Sequence, residues 1–229
     1  MGYFSIFFTR CLTFFLMKEN LSDYREEYGK FSLLENSIIG LTPMELFKKW
    51  FEEIKGEVEE PNAMVLSTIG EDGGPDSRVV LLKEFNKEGF IFYTNYGSKK
   101  AKAIDKNKKV SLCFFWPFFQ RQVIIKGKVS QLEDEKSSRY FLSRPINSQI
   151  AAWASKQSQV ANSREHIEER YQSKKEYFSA HPIKKPPFWG GYLIKPYEME
   201  FWQGRKNRLH DRLCFYLKDN TWELSRLFP

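Results

Sequence analysis

Cysteine and histidine are scarce in this chain. There are 3 of each among 229 residues, and Cys11, Cys113 and Cys214 stand far apart. No two share CxxC spacing, so neither a disulfide framework nor a thiolate zinc site is supported. Such usage fits a reducing cytoplasm. His166, His181 and His210 are too dispersed for a His-rich metal site. The HExxH, GxSxG and P-loop patterns are missing, which removes local support for zinc hydrolases, nucleophile-elbow hydrolases and P-loop NTPases. No GxGxxG follows a strand-like run, which argues against a Rossmann fold. No apolar run is long enough to span a bilayer. The aromatic N-terminal stretch MGYFSIFFTRCLTFFLM is interrupted by Arg10. It has neither a basic n-region before it nor a small-residue cleavage site after it, and Ile6 breaks the myristoylation pattern. Met17 opens an ordinary polar segment. The expectation is that translation starts there and residues 1–16 are an upstream extension, with a degenerate membrane anchor as the alternative. No internal repeat, low-complexity tract or linker interrupts the rest.

The chain does hold a large apolar stock: 41% hydrophobic residues, 17% aromatic, with 21 Phe. That supports one sizeable core. The formal net charge of +7 suits anionic partners: nucleic acid, a membrane surface or a phosphorylated small molecule.

Residues 17–40 are polar and aperiodic, the pattern of a mobile arm. TPMELFKKWFEEIKGE reads as a helix, with Thr42 as N-cap, Pro43 in the first position and Glu45 completing a capping box. Strand-like runs AMVLSTIG and DSRVVLLKEF flank the turn EDGGP. GFIFYTN follows, then a basic helix capped by Ser98, then the strands KKVSLCFFW and RQVIIKGKVSQL. Residues 133–180 turn helical in three pieces, the last capped by Asn162. The chain returns to strand in GGYLIKPYEMEFWQG and RLHDRLCFYLKDNTWELSRLF, with a hairpin turn at Asp219 and Asn220. Many short strands with a helical insertion predict an α+β fold, one antiparallel barrel carrying helices. Residues 41–229 form its single domain.

Four clusters of cations and hydroxyls flank the apolar strands. Arg78 and Lys83 bracket SRVVLLK. Their odd separation sends them to opposite faces of an ideal strand. Thr94, Ser98, Lys99 and Lys100 lie where a strand meets a helix N-terminus, a favourable phosphate site. Tyr140, Arg144 and Ser148 surround a proline break. In EFWQGRKNRLHDR, strand alternation places Arg208, His210 and Arg212 on one face. Taken singly, each cluster also reads as a solvated element end. Together they exceed what one phosphate needs. They suit two phosphorylated aromatic molecules in one cleft, with Trp116, Trp153 and Trp202 nearby.

The strings RVVLLK, FYTNYGSKKA, RQVIIKG, YFLSRPINSQIAAWASKQS, FWGGY and EFWQGRKNRLHDR, in this order, resemble the pyridoxine/pyridoxamine 5′-phosphate oxidase family from about Tyr24 to Pro229. The resemblance implies a homodimeric FMN-binding split barrel with FMN sites at the subunit interface. It implies oxidation of pyridoxine or pyridoxamine 5′-phosphate to pyridoxal 5′-phosphate by oxygen, with release of hydrogen peroxide. It implies a flavin site built from Arg78, Val79, Val80, Leu81, Leu82, Lys83, Tyr93, Thr94, Lys99, Lys100, Gln122, Gln157, Ser158, Trp202 and Arg212. Lys83, Tyr140, Arg144 and Ser148 would grip the substrate phosphate. Arg208 and His210 would close over the substrate ring as the catalytic pair, and Arg25 and Tyr28 would form a lid. Lys99 stands where an arginine is frequent in the family, which replaces a bidentate fork by a point charge. GKFSL after Tyr28 lacks the glycine-rich character common in that arm. Other readings of the same residues are a flavin split-barrel reductase or haem-degrading relative, a basic nucleic-acid-binding module, and a flavoprotein that carries pyridoxal phosphate without turnover. The oxidase reading involves neither nucleic acid nor membrane.

Overall fold

Helix α1 (Pro43–Ile54) shows how the local sequence reaches the core. The Thr42 side chain accepts from the Glu45 amide, and the Glu45 carboxylate accepts from the Thr42 amide, so the capping box is complete. That fixes the helix start and turns Leu46, Phe47, Trp50 and Ile54 inward, all of them buried. Phe47 meets Phe85 and Phe90 edge-on at 5.0 Å and Phe114 at 5.2 Å. Helix α1 thereby closes the sheet's concave side with aromatic packing.

The computed structural model describes residues 21–229. The expected extension over residues 1–16, the start at Met17 and Cys11 lie outside the described residues. Nine strands form one sheet: β1 (Ala63–Ile69), β2 (Pro75–Leu81), β3 (Glu84–Asn86), β4 (Gly89–Asn95), β5 (Lys109–Trp116), β6 (Arg121–Gln131), β7 (Trp189–Gln203), β8 (Asp211–Lys218) and β9 (Thr221–Arg226). Its order is β2-β1-β5-β6-β7-β4-β3, with β8 and β9 added beside the far half of β7. Every named pairing is antiparallel. Inward residues alternate as a half-buried sheet requires: Met64, Leu66 and Thr68 in β1, Val110, Leu112, Phe114 and Trp116 in β5. Helices α2 (Lys99–Lys106), α3 (Asp134–Ser143), α4 (Ile146–Ala154) and α5 (Arg164–Ser179) complete the α+β architecture. No described helix is long and apolar enough to cross a membrane.

β7 branches the sheet. Its first residues pair with β4 and its last with β8, while β6 follows it along the other edge through a bulge at Lys126/Gly127. The Asp219–Asn220 hairpin turn is as expected, with φ values of 46° and 62° joining β8 to β9.

Four local expectations change. DSRVVLLKEF is two strands, because the Leu82 amide bonds to Asn62 O and the Lys83 amide to Ile91 O. The chain crosses between sheet halves there. Ser163, rather than Asn162, caps α5, accepting from the His166 amide. RLHDR does not alternate as a strand: Asn207 and Arg208 are left-handed at φ 55° and 60°, and β8 begins only at Asp211. The arm is tied down in its second half. Gly29 and Lys30 amides donate to Gln120 Oε1, the Leu33 amide donates to Asp211 Oδ2, and Arg226 forks onto Glu35. That fork holds the Glu35 carboxyl down at about 2, and Leu33 and Ile38 are buried beside it.

Replacing Phe47 by Ala leaves a cavity among Phe85, Phe90 and Phe114. The expected loss is about 3–5 kcal/mol, measured by chemical denaturation at matched protein concentration. A loss below ~1 kcal/mol would contradict this packing.

Candidate active site

A cleft of about 560 Å³ lies where β2, β4, the start of α2 and the α3–α4 elbow converge. Arg78, Val79, Val80 and Leu81 form one wall, and Lys83 joins them. Sequence alternation puts Arg78 and Lys83 on opposite faces. The break after Leu81 re-aims Lys83, so both line the same cleft.

Lys100 enters from the first turn of α2. Its ammonium lies 2.9 Å from Gln157 Oε1 and 3.4 Å from both Thr94 Oγ1 and Ser98 Oγ. Thr94 Oγ1 donates to the same Gln157 oxygen at 3.1 Å. Ser98 therefore sits at the N-cap position but makes no side-chain cap bond. Burial, helped by the nearby Arg78 charge, pushes the Lys100 pKa down. Arg78 donates to Leu66 O at 3.1 Å and Thr68 Oγ1 at 2.9 Å, and burial lowers its pKa too.

The opposite wall is an aromatic stack. Tyr93 lies 3.9 Å from Tyr140 and 5.4 Å from Trp189, centroid to centroid, with near-parallel rings. Burial pushes Tyr93 up to about 12, so the stack stays neutral at ordinary pH. The glycines of FWGGY permit it: a Cβ on Gly190 would strike Tyr96, and one on Gly191 would strike Tyr93 and Leu132. Arg144 lays its guanidinium 4.9 Å from the Trp189 ring centre. Its Nη1 is buried without a hydrogen-bond partner. Arg78, Lys83, Lys100 and Arg144 thus face a cleft whose lining holds no carboxylate. A buried, unpaired guanidinium nitrogen is costly unless an anion meets it. The donor set fits two phosphate-bearing molecules, one near Lys100 and one near Arg144.

A second group lies elsewhere. Gln122, Trp202 and Arg212 are directly paired across β6, β7 and β8, so their side chains share one face of the sheet. Arg212 is held by a bidentate bond to Glu200, at 2.7 and 3.0 Å, and by Phe228 O at 2.9 Å. His210 packs on Trp202 at 4.6 Å and on Tyr28 at 5.8 Å. Trp189 and Trp202 stand near opposite ends of β7. At ~3.3 Å per residue they are roughly 40 Å apart along the strand. None of Gln122, Trp202, Arg208, His210, Arg212, Arg25 or Tyr28 lines the cleft of its own chain.

Other expected residues also fall outside it. Lys99 is exposed and paired with Asp76 at 3.0 Å. Leu82 is buried in the core. Ser148 lies in the first turn of α4, its amide bonded to Pro145 O. Ser158, at φ 71°, follows Gln157 around a corner into a neighbouring pocket. Arg25 bonds Ser22 O at the surface. Conversely, Asn95, Ala151, Ala152, Ser155 and Trp189 line the cleft unforeseen. For Trp189 and Asn95 the signal was their place at the two strand ends that pair with each other.

The model of the pyridoxamine 5′-phosphate oxidase family matches residues 51–173. A second model, described as the pyridoxine 5′-phosphate oxidase C-terminal dimerisation region, matches residues 189–229. The chain belongs to the pyridoxamine 5′-phosphate oxidase family. Its similarity extends to the pyridoxine/pyridoxamine 5′-phosphate oxidase of Flavobacterium psychrophilum, 49% identical over 92% of this chain and 100% of that one. The enzyme of the same name from Flavobacterium johnsoniae is 50% identical over 91% and 98%. Among solved structures, PhzG of Burkholderia lata, crystallised with tetrahydrophenazine-1-carboxylic acid, aligns at TM-score 0.82 and 27% identity over 88% of this chain and 100% of that one. An FMN-binding, oxidase-related protein of Nostoc punctiforme aligns at TM-score 0.67 and 15% identity, covering 83% of this chain and 100% of that one, which supports the split-barrel fold.

Lys100→Met is expected to weaken FMN binding roughly ten- to a hundredfold, read by fluorescence titration. In the unsubstituted protein, affinity falls as rising pH approaches the depressed Lys100 pKa, below the ordinary lysine range. Lys100→Arg removes that dependence. A flat profile in the unsubstituted protein would contradict the assignment of Lys100.

Proposed function

We propose that this chain is the subunit of a homodimeric, FMN-dependent oxidase acting on pyridoxine and pyridoxamine 5′-phosphates. The product is pyridoxal 5′-phosphate. Oxygen takes the electrons and leaves as hydrogen peroxide, and the amine substrate also consumes a water, which supplies the aldehyde oxygen, and releases ammonia. The observation that carries this reading is the unpartnered Arg144 Nη1, on a cation separate from the Lys100 cluster in one carboxylate-free cleft. A second anion station is what a phosphorylated substrate adds to a phosphorylated flavin. The relatives near 50% identity bear the matching name.

FMN, when bound, would supply the hydride acceptor for the substrate's exocyclic carbon and the route by which the electrons reach oxygen. The chain's own work is binding and orientation. Arg78, Lys100, Thr94 and Gln157 would hold the flavin phosphate and ribityl chain, and Val79 to Leu81 would flank the flavin. Lys83, Tyr140 and Arg144 hold the substrate phosphate. Gln122, Trp202 and Arg212 would come from the partner subunit, because together they form one rung of the sheet at the far end of β7. The matched dimerisation region, residues 189–229, contains Trp202 and Arg212. Arg208 and His210 close over the substrate from that side, with Tyr28 packed behind. The free thiols Cys113 and Cys214 agree with a cytoplasmic enzyme. A nucleic-acid module is disfavoured, because the large aromatics Phe47, Phe90, Phe114, Trp116 and Phe201 fill the core.

Purified protein with FMN and pyridoxine 5′-phosphate is expected to form aldehyde and hydrogen peroxide one for one. Arg208→Ala lowers kcat/KM by about tenfold or more while flavin stays bound. Flavin binding without turnover would overturn the oxidase and favour a carrier.

A further inference from the structure

The turn between β7 and β8 does something specific to His210. The Arg205 amide N–H points at His210 Nδ1, 3.1 Å away. A backbone N–H has only a proton to give, so Nδ1 offers its lone pair. The neutral ring then carries its proton on Nε2. Two consecutive left-handed residues, Asn207 and Arg208, turn the chain back so that residue 210 meets residue 205. Asparagine enters that region more readily than most residues, and the second such residue follows it. Trp202 from β7 and Tyr28 from the arm then clamp the ring.

His181 gives the opposite case within the same chain. Its Nδ1 lies 2.8 Å from the Tyr177 carbonyl oxygen, which accepts, so there Nδ1 bears the hydrogen. The two histidines therefore occupy opposite tautomers.

We propose that the Arg205–Leu209 turn locks His210 as a fixed Nε2–H donor aimed at an acceptor oxygen of the substrate, with Asn207 as the positioning residue. This assigns His210 as a donor and removes it as the base that takes a proton during oxidation. It rests on the oxidase reading only for the identity of the acceptor. The charged and titratable groups around the ring agree with a neutral imidazole. Burial and then the Arg208 charge lower its pKa, against a smaller opposing effect of Asp211. Asp211 is itself engaged by Arg226 at 2.9 Å, Arg205 at 3.4 Å and the Leu33 amide at 3.0 Å. Tyr28 is the remaining titratable neighbour, and its ring lies tilted against the imidazole, 5.8 Å between centroids.

The test is nitrogen NMR on the FMN-bound protein labelled with ¹⁵N-histidine, with the His210 signal assigned by its loss in His210→Gln. The expected spectrum at neutral pH shows an unprotonated Nδ1 and a protonated Nε2 for His210, and the reverse for His181. A protonated Nδ1 on His210 would overturn the proposal, whether or not the protein turns over pyridoxine 5′-phosphate. Turnover supplies the second readout. Glutamine places its amide N–H where Nε2 sits, whereas asparagine reaches only the Nδ1 position. His210→Gln is expected to exceed His210→Asn in kcat/KM by about tenfold, one hydrogen bond to a charged group. Equal values, or the reverse order, would overturn the donor role. A 3-deoxy analogue of the substrate locates the acceptor: the Gln/Asn ratio collapses if it is the 3-hydroxyl oxygen and persists if it is the phosphate. For the turn, Asn207→Gly keeps the His210 tautomer, while Asn207→Val, strained in the left-handed region, returns the ring to mixed tautomers and raises its pKa. An unchanged spectrum in Asn207→Val would remove Asn207 from the positioning role.

Discussion

β7 runs 15 residues from Trp189 to Gln203 and bonds to β4 at its start, to β6 along its length and to β8 at its end. A strand is stiff and nearly straight over a few residues, and a ladder on both edges keeps it so. Its length is therefore a constraint on where chemistry can be assembled. Trp189 at one end belongs to the cleft, stacked with Tyr93 beside Arg144. Trp202 near the other belongs to the rung with Gln122 and Arg212. No rearrangement that keeps the ladder brings the two ends of one strand together. In the proposed oxidase a second copy, turned about a two-fold axis, supplies the missing end.

The electrostatics of the two ends differ in a way that follows from this geometry. Among the cations of the cleft, Lys100 lies with hydroxyls and an amide oxygen and Arg144 with aromatic faces, while Arg78 bonds a carbonyl and Thr68 and has the Asp76 carboxylate 3.9 Å away. Such groups keep their charge available to an incoming anion. Arg212 is instead neutralised by Glu200 in a fork and capped by Phe228 O, so it acts as an oriented donor rather than a free charge. Arg226 is likewise consumed, by Glu35, Asp211 and Leu33 O, and its task is to strap the arm to the hairpin. Cations are abundant in the chain, and the proposed phosphate ligands are drawn from those without a hydrogen bond to a carboxylate.

What could be read from sequence divides along the range of the forces involved. The Thr42–Glu45 box and the Asp219–Asn220 turn depend on residues within a few positions, and both form as the sequence indicates. The facing of Lys83 depends on Asn62 and Ile91, so simple alternation misplaces it. Arg208 and His210 leave the strand pattern because Asp211 is captured by Arg226 and Leu33, far away in sequence. Three of the four cationic clusters meet at the cleft, although Ser98, Lys99 and Ser148 within them do not line it. That the fourth stays at the far end of β7 is a property of sheet order, which no local pattern encodes.

The composite site is tested most directly by subunit complementation. Lys100→Met disables the cleft, and Arg212→Met disables the rung. Each homodimer is expected to be inactive or nearly so. Co-expressed with different affinity tags, the two chains form mixed dimers in which one site receives an intact cleft and an intact rung, while the other receives neither. If the two halves come from different subunits, purified mixed dimers recover roughly half of the unsubstituted activity by two-fold symmetry. If both halves act within one chain, every site in the mixed dimer carries one lesion, and activity stays at the level of the homodimers. That second result would contradict the two-subunit site.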